Sequence, residues 1–446
     1  MTNYSHTAIF VAIVGFEMTH ERINCLLATT ERGTRMAITS KVLVSIAVLL
    51  STIACQPDRS PERALKLHHS ILTLDTHCDT PMSLARFDIG ERHEKGQGCY
   101  DLPRMKEGGL SASCFAVYIG QGARTPEGYA TAKERVLATF ENLDGMFTKY
   151  AGLCEQAHTV ADLRRIDKTG KRAILISMEN AYSIGVDLNN IDEYYSRGAR
   201  MMGLVHGRNN DICDSATDAA VRDGNDNGVS EFGKSAIKRM NDMGIVIDVS
   251  HASDKSFFDT LALSNSPIMA SHSSSRAVCD HPRNLSDEQL LALKKNGGVI
   301  QLCILSDYIS VREMDPEHRE LQDDLEARIE KFGGWDVLRT KPGGDQLLAE
   351  FRALRARFGG PKATVKDAVD HIDHIIKLIG VDHVGIGTDF DGGGGLVDCQ
   401  DVTELSNITI ELVRRGYSDR DIKKIWGENA MRVFEKAQKN RTKGSL

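Results

Sequence analysis

Only two tryptophans occur among the 446 residues, against fifteen histidines. No long basic run is present and the formal net charge is −7, so the positive surface that nucleic-acid binding requires is missing. There is no internal repeat and no low-complexity tract, which leaves a repeat architecture without support. The ten cysteines include no C-x-x-C pair and no tight framework; no disulfide connectivity can be read from them. Residues 392–395 are four glycines, but no Lys-Ser or Lys-Thr follows, so this is a loop and not a phosphate cradle. What is present is apolar content of 41% over a long chain, enough for one large α/β core or two.

The amino terminus reads as a targeting segment. Arg32, Arg35 and Lys41 precede an apolar run at 42–50, which is too short for a bilayer-spanning helix of about 20 residues. Ser51, Thr52, Ile53 and Ala54 then lead to Cys55 and a polar stretch. This looks like a bacterial lipoprotein signal with Cys55 as the lipidated residue; a cleaved signal peptide and an uncleaved anchor are the alternatives. Met36 would give a leader of ordinary length, with 1–35 as an upstream extension. All three readings place the rest of the chain outside the cytoplasm, in the periplasm or cell envelope. The expected division is a leader at 1–55 and a single catalytic domain at 56–446.

From about residue 65, short β-branched runs alternate with longer helical stretches, the pattern of βα units around a parallel sheet. Eight runs are present, at 71–75, 112–119, 173–178, 201–205, 245–250, 267–271, 298–304 and 384–388. Eight closes a barrel. Helices are expected at 129–150, 191–197, 230–243, 255–264, 287–295 and 365–379. One segment, 315–361, interrupts the rhythm between the seventh and eighth runs. It is highly charged but carries Leu321, Leu325, Ile329 and Phe332, then Leu347, Phe351, Leu354 and Phe358, at helical spacing. Two surface helices packed on the barrel, or a lid or subunit contact, would explain it.

Six of these runs stop on a residue that binds metals or moves protons. His77 and Asp79 follow the first, and alternation puts both on one side with Cys78 on the other. Glu179 follows the third; alone it would be an ordinary loop acid, but a carboxylate can link two cations about 3.5–4 Å apart. His251 and His272 follow the fifth and sixth. Imidazoles with carboxylates suit zinc, with manganese or cobalt as substitutes. His77, Asp79 and Glu179 would hold one ion, and Glu179, His251 and His272 the other. Asp248 would support an imidazole from behind or cap a helix. Asp389 follows the last run directly and is preferred to Asp391, which reads as part of a turn, as the proton carrier. His206, after the fourth run, is surplus to the ligand set and could stabilise an oxyanion. Arg283 suits a substrate carboxylate or a loop ion pair. His371 and His374 are one helical turn apart, but on an outer helix beside Asp370 and Asp373 they read as packing or solvated residues.

Taken together, H-x-D, the strand-end Glu, D-x-x-H, S-H-S-S, R-N and G-x-D-F-D-G resemble the membrane (renal) dipeptidase family of zinc peptidases, from about residue 65 to 435. The resemblance implies a (β/α)8 TIM barrel of the metal-dependent hydrolase type, with two zinc ions per subunit bridged by a glutamate. His77, Asp79, Glu179, His251 and His272 match the family's ligands, and Asp389 its catalytic acid and base. His206 and Arg283 match its substrate-binding histidine and arginine, and Tyr308 a pocket tyrosine. Three features depart from the mammalian members. Their anchor is a carboxyl-terminal glycolipid, whereas residues 436–446 here are polar and the lipid signal is at the other end. Cys279 lies near a disulfide cysteine of those members, but Val311 stands at the partner position. The 315–361 insertion is longer, as in bacterial members.

The expected activity is hydrolysis of dipeptides, including those with a C-terminal D-residue, by a hydroxide shared between two metals. A related barrel hydrolase acting on lactones, cyclic amides or phosphotriesters is the alternative, and a non-catalytic surface-binding lipoprotein a further one. Expected partners are small dipeptides, with the membrane met only through the lipid anchor and a homodimer left open.

Overall fold

The apolar runs pair edge to edge, in parallel, around a (β/α)8 barrel of the TIM type. The computed structural model describes residues 58–442 apart from 311–314, 334–337, 339–341 and 359–362; Cys55, the leader and Val311 lie outside the described residues. The strands are β1 (Leu74–Cys78), β2 (Ala112–Tyr118), β3 (Cys154–Gln156), β4 (Arg172–Glu179), β5 (Ala199–Gly203), β6 (Val246–Asp248), β7 (Met269–Ser273), β8 (Val299–Leu302) and β9 (Val384–Ile386). All expected runs are among them. β3 is an addition, too short and polar to show in the pattern. It pairs with the start of β4, Cys154 opposite Arg172, before β5 takes over that edge at Ile176 opposite Ala199.

The first strand begins three residues later than the apolar run suggests, because its partner on β2 starts at Ala112, opposite Leu74. His77 therefore lies within the strand. The barrel closes between β1 and the chain following β9. The Asp389 N–H donates to the His77 carbonyl at 3.1 Å, and the Asp79 N–H to the Phe390 carbonyl at 2.9 Å. Asp75 locks this seam: its carboxylate accepts from the Thr388 N–H at 2.8 Å, the Thr388 hydroxyl at 2.6 Å and the Tyr100 hydroxyl.

Residues at or near the starts of the strands (Leu74, Ala112, Ala173, Met201, Val246, Met269 and Val299) form one apolar cluster with the helix Asn429–Asn440. The outward strand residues pack under the surrounding helices. Those helices start on hydrogen-bonding caps, Thr125, Ser230, Ser253, Ser286 and Thr364, which satisfy amide groups with no partner inside the helix. Gly244 and Gly297 end two of them in the left-handed conformation. The insertion forms two helices, Pro316–Phe332 and Gly344–Phe358. They share a core of their own, centred on Leu325, Ile329, Leu347 and Leu354. Leu321, expected in that stripe, is exposed.

The helix Pro61–His68 ahead of β1 is pinned by its last residue. His68 is fully buried; its Nε2 donates to the Gly108 carbonyl at 2.9 Å, so its Nδ1 accepts from the Thr409 hydroxyl at 2.7 Å. The Trp426 indole N–H donates to the same Thr409 oxygen at 2.7 Å. The chain of donors is complete only with a neutral ring, and burial pushes the His68 pKa down to about 4 from 6.5. The unfolded chain takes up this proton below pH 6.5 while the folded one refuses it until about pH 4. The contribution to stability is therefore full above 6.5 and falls away through that window. Urea unfolding should show wild type losing about 2 kcal/mol more than His68→Gln between pH 7 and pH 5; equal losses would remove His68 as the source.

Candidate metal centre and active site

His77, Asp79, Glu179, His251, His272 and Asp389 form one buried cluster at the carboxyl ends of the strands, with the partly exposed His206 at its edge. His77 and Asp79 face the same side, His77 Nε2 lying 3.7 Å from Asp79 Oδ2, while Cys78 between them turns to Ser113 Oγ at 3.5 Å. Bulges interrupt the register in β1 before Cys78 and in β7 between Ala270 and Ser273, re-aiming side chains where the ligands are needed. Asn180, His251 and Asp389 have φ of +70°, +69° and +61°. Such conformations strain a non-glycine residue and gather at functional sites. Gly392 closes the site from the last loop: a Cβ there would lie 2.0 Å from Asp79 Oδ2 and 2.3 Å from Asp389 Oδ1.

Glu179 sits at the centre. Its Oε2 is 3.4 Å from His77 Nε2, while its Oε1 is 3.2 Å from His251 Nε2, 3.5 Å from His272 Nε2 and 3.9 Å from His206 Nε2. One carboxylate thus turns one oxygen to His77 and the other to His251, His272 and His206. Three groups have ligand atoms close enough to share an ion: His77 with Glu179 and His272, Glu179 with His206 and His251, and His77 with Asp79 and Asp389. The last joins through His77 Nε2 and Asp389 Oδ1, 4.0 Å apart. His77 Nε2, Asp79 Oδ1 and Glu179 Oε2 are buried without a hydrogen-bond partner. Orphaned polar atoms of this kind need an explanation, and imidazole nitrogens with carboxylate oxygens fit a divalent cation.

The support behind the cluster favours metal binding. Asp248, the last residue of β6, accepts from the Ser250 and Ser271 N–H groups at 2.9 Å each, and from the Ser271 hydroxyl at 2.6 Å. Having donated to Asp248, the Ser271 hydroxyl can only accept from His272 Nδ1, 2.8 Å away. That places the His272 proton on Nδ1 and turns an Nε2 lone pair to the centre. Burial, with the nearby Arg283 charge, holds His251 well below the usual imidazole range; burial and the charge of His77 do so for His272. Both rings are therefore neutral, and their Nε2 atoms lie 2.9 Å apart. Burial and then Asp79 raise Asp389 well above the carboxylate range, and burial and then Glu179 raise Asp79. For Glu179, burial is outweighed by His77 and its neighbours, and its pKa falls.

The remaining residues fall around this cluster. His206 is partly exposed, its ring 4.2 Å from that of His251 and 4.9 Å edge-on to Tyr118. Arg283 is buried and meets no carboxylate among the described residues, so the loop ion pair is not formed. Its Nη2 donates to the His272 carbonyl at 3.1 Å, its Nε has no partner, and its guanidinium lies 5.4 Å from the Tyr308 ring centre. Asp391 instead holds a turn, accepting from Thr80 Oγ1 and the Cys99 N–H at 2.7 Å each. His374 pairs with Asp287 at 2.7 Å on the outside. No disulfide forms among the described cysteines. Sequence reasoning passed over Asn180, whose Oδ1 accepts from Asn210 Nδ2 at 3.1 Å and whose Nδ2 donates to the Ile119 carbonyl at 2.9 Å. Its only sequence signal was its place directly after Glu179. Ser271 belongs to the S-H-S-S motif, but nothing local in the sequence marks its bond to Asp248.

A closed parallel barrel with buried acids and imidazoles gathered at its strand ends is the architecture of metal-dependent hydrolases. The chain belongs to the membrane dipeptidase family (peptidase family M19), whose sequence profile matches residues 61–445. It is 27% identical to the dipeptidase aclJ of Aspergillus oryzae, over 90% of this chain and 89% of that protein. The crystal structure of the probable dipeptidase PvdM from Pseudomonas aeruginosa is 34% identical, with a TM-score of 0.72 over 86% of this chain and all (100%) of the other. A metallopeptidase from Rhodobacter sphaeroides, solved with a phosphinate mimic of the dipeptide L-Ala-D-Ala, shares the fold at 24% identity and a TM-score of 0.66, over 82% of this chain and 99% of its own. The chain is thus a dipeptidase of a metallopeptidase family.

If Ser271 sets the His272 tautomer, Ser271→Ala should weaken metal affinity by about 10- to 100-fold, read by competition with a chelator, with circular dichroism unchanged. Wild-type affinity in that variant would show that His272 needs no such support.

Proposed function

We propose that the protein hydrolyses dipeptides, including those ending in a D-residue, at a centre of two zinc ions for which manganese or cobalt can substitute. The observation that carries this reading is Glu179, one oxygen of which faces His77 and the other His251 and His272. The ions would be held by His77, Asp79, Glu179, His251 and His272, and when bound would supply Lewis acidity and a water of lowered pKa. Dipeptides ending in a D-residue are included because the related Rhodobacter sphaeroides protein was solved with a mimic of L-Ala-D-Ala. Export and lipid anchoring through Cys55 belong to the same proposal and rest on the leader sequence alone.

The side chains divide the work by position. Asp389 is buried beside His77 and Asp79; its raised pKa suits a group that takes a proton from the attacking water and gives it to the departing amine. His206, on the open side of Glu179, donates to the carbonyl oxygen as negative charge develops there. Arg283 turns an unpartnered, buried Nε and a charged guanidinium to the substrate's free carboxylate, with Tyr308 as the wall beside it.

Asp389→Asn should lower kcat by about 100- to 10,000-fold while bound zinc, measured by elemental analysis, stays at the wild-type level; loss of both metals would make Asp389 structural instead. Arg283→Ala should raise KM about 10- to 100-fold for dipeptides, the worth of a charge-assisted hydrogen bond, with kcat nearly unchanged. Assayed on a panel of L-L and L-D dipeptides, an unaltered KM would remove Arg283 from substrate binding.

A further inference from the structure

His371 looks at first like half of a helical metal pair, and it is not one. It lies on the outer helix Val365–Ile379, is fully buried, and uses both ring nitrogens on backbone groups of two different loops. Its Nε2 donates to the Ile309 carbonyl at 2.8 Å, so its Nδ1 is unprotonated and accepts the Ser275 N–H at 3.0 Å. Ile309 follows Tyr308 directly. Ser275 stands three residues after His272, and the chain on either side of it pairs with Leu285: the Leu285 N–H donates to the Ser274 carbonyl and the Arg276 N–H to the Leu285 carbonyl, at 2.9 and 2.8 Å. Leu285 is two residues from Arg283. One imidazole therefore ties the segment that aims Arg283 to the turn that carries Tyr308.

Other contacts join the same two segments nearer the site. The Asn284 side-chain amide donates to the Tyr308 carbonyl at 2.8 Å and to the Cys279 carbonyl at 2.9 Å, and the Cys279 thiol lies 3.5 Å from the Asp307 carbonyl. These join the two segments directly, whereas His371 joins them through a helix that supplies no candidate ligand. From this geometry we infer that His371 is a positioning residue for substrate binding, setting the spacing of Arg283 and Tyr308 and hence the fit of the substrate carboxylate. No other side-chain type offers a rigid acceptor and donor on opposite edges of one buried ring. Removing it strands one buried N–H and one buried carbonyl, which the two segments can satisfy only by moving.

This inference rests on the proposed role of Arg283, and the experiment separates the two. KM and kcat for a dipeptide are measured in the zinc-loaded enzyme for wild type, His371→Leu, Arg283→Ala and the double variant. The expected result is a rise in KM of about tenfold for His371→Leu with kcat within about twofold, and no further rise when it is added to Arg283→Ala. His371→Asn, which keeps an acceptor near Ser275, should recover part of the loss. A rise that multiplies fully in the double variant, or a fall in kcat with KM unchanged, overturns the inference. If Arg283→Ala itself leaves KM unchanged, the reading of Arg283 fails first, and the inference with it. Where His371→Leu does not fold, His371→Asn and His371→Gln are put through the same cycle, and wild-type KM in both refutes the role.

Discussion

A carboxylate buried among imidazoles is stable only if something offsets the water it has lost, and in this barrel that carboxylate is Glu179. Its two oxygens meet different imidazoles of a cluster that also buries Asp79 and Asp389. Three acids so close cannot all remain charged in a dry site without cations or protons to balance them. The raised pKa values of Asp79 and Asp389 show one side of this conflict, and the depressed value of Glu179 shows that the histidines favour it over its neighbours. Divalent ions would resolve the same conflict with the orphaned atoms as ligands.

Much of the surrounding structure reads as scaffolding for that cluster. The seam that closes the barrel runs through His77 and Asp389 themselves, so the bond that closes the sheet also places two residues of the site. Asp75 stiffens the seam from below. Asp248 reaches across to β7 and fixes His272 through Ser271. Asn180 turns the chain away immediately after Glu179 and ties it to the loop that follows His206. Each support comes from a neighbouring strand or loop, which is why a barrel rim can hold strained backbone at His251 and Asp389.

Much of this was legible in advance. Apolar runs ending on His, Asp or Glu marked the strand ends, because burial demands apolar residues up to the rim and chemistry begins where they stop. Alternation along β1 placed His77 and Asp79 together and Cys78 apart, as found. Asp389 was separable from Asp391 because the former follows its strand and the latter reads as a turn. Other features left no local trace. β3 is three residues of ordinary composition whose strand character depends on the open edge of β4. The start of β1 was set by the partner on β2, not by its own apolar residues. His371 was rightly refused as a ligand, but its two backbone partners lie 62 and 96 residues away in the chain, beyond any pattern of spacing.

The amino-acid sequence by itself determined the barrel and the chemical types delivered to its rim, since periodicity and residue identity are local properties that burial acts on directly. Only the tertiary structure decided which oxygen of Glu179 meets which imidazole, which nitrogen of His272 carries the proton, and that Arg283 meets no carboxylate among the described residues. Those facts depend on distances between segments far apart in the chain. Such distances are fixed by sheet register, bulges and loop packing, and no single stretch of sequence encodes them.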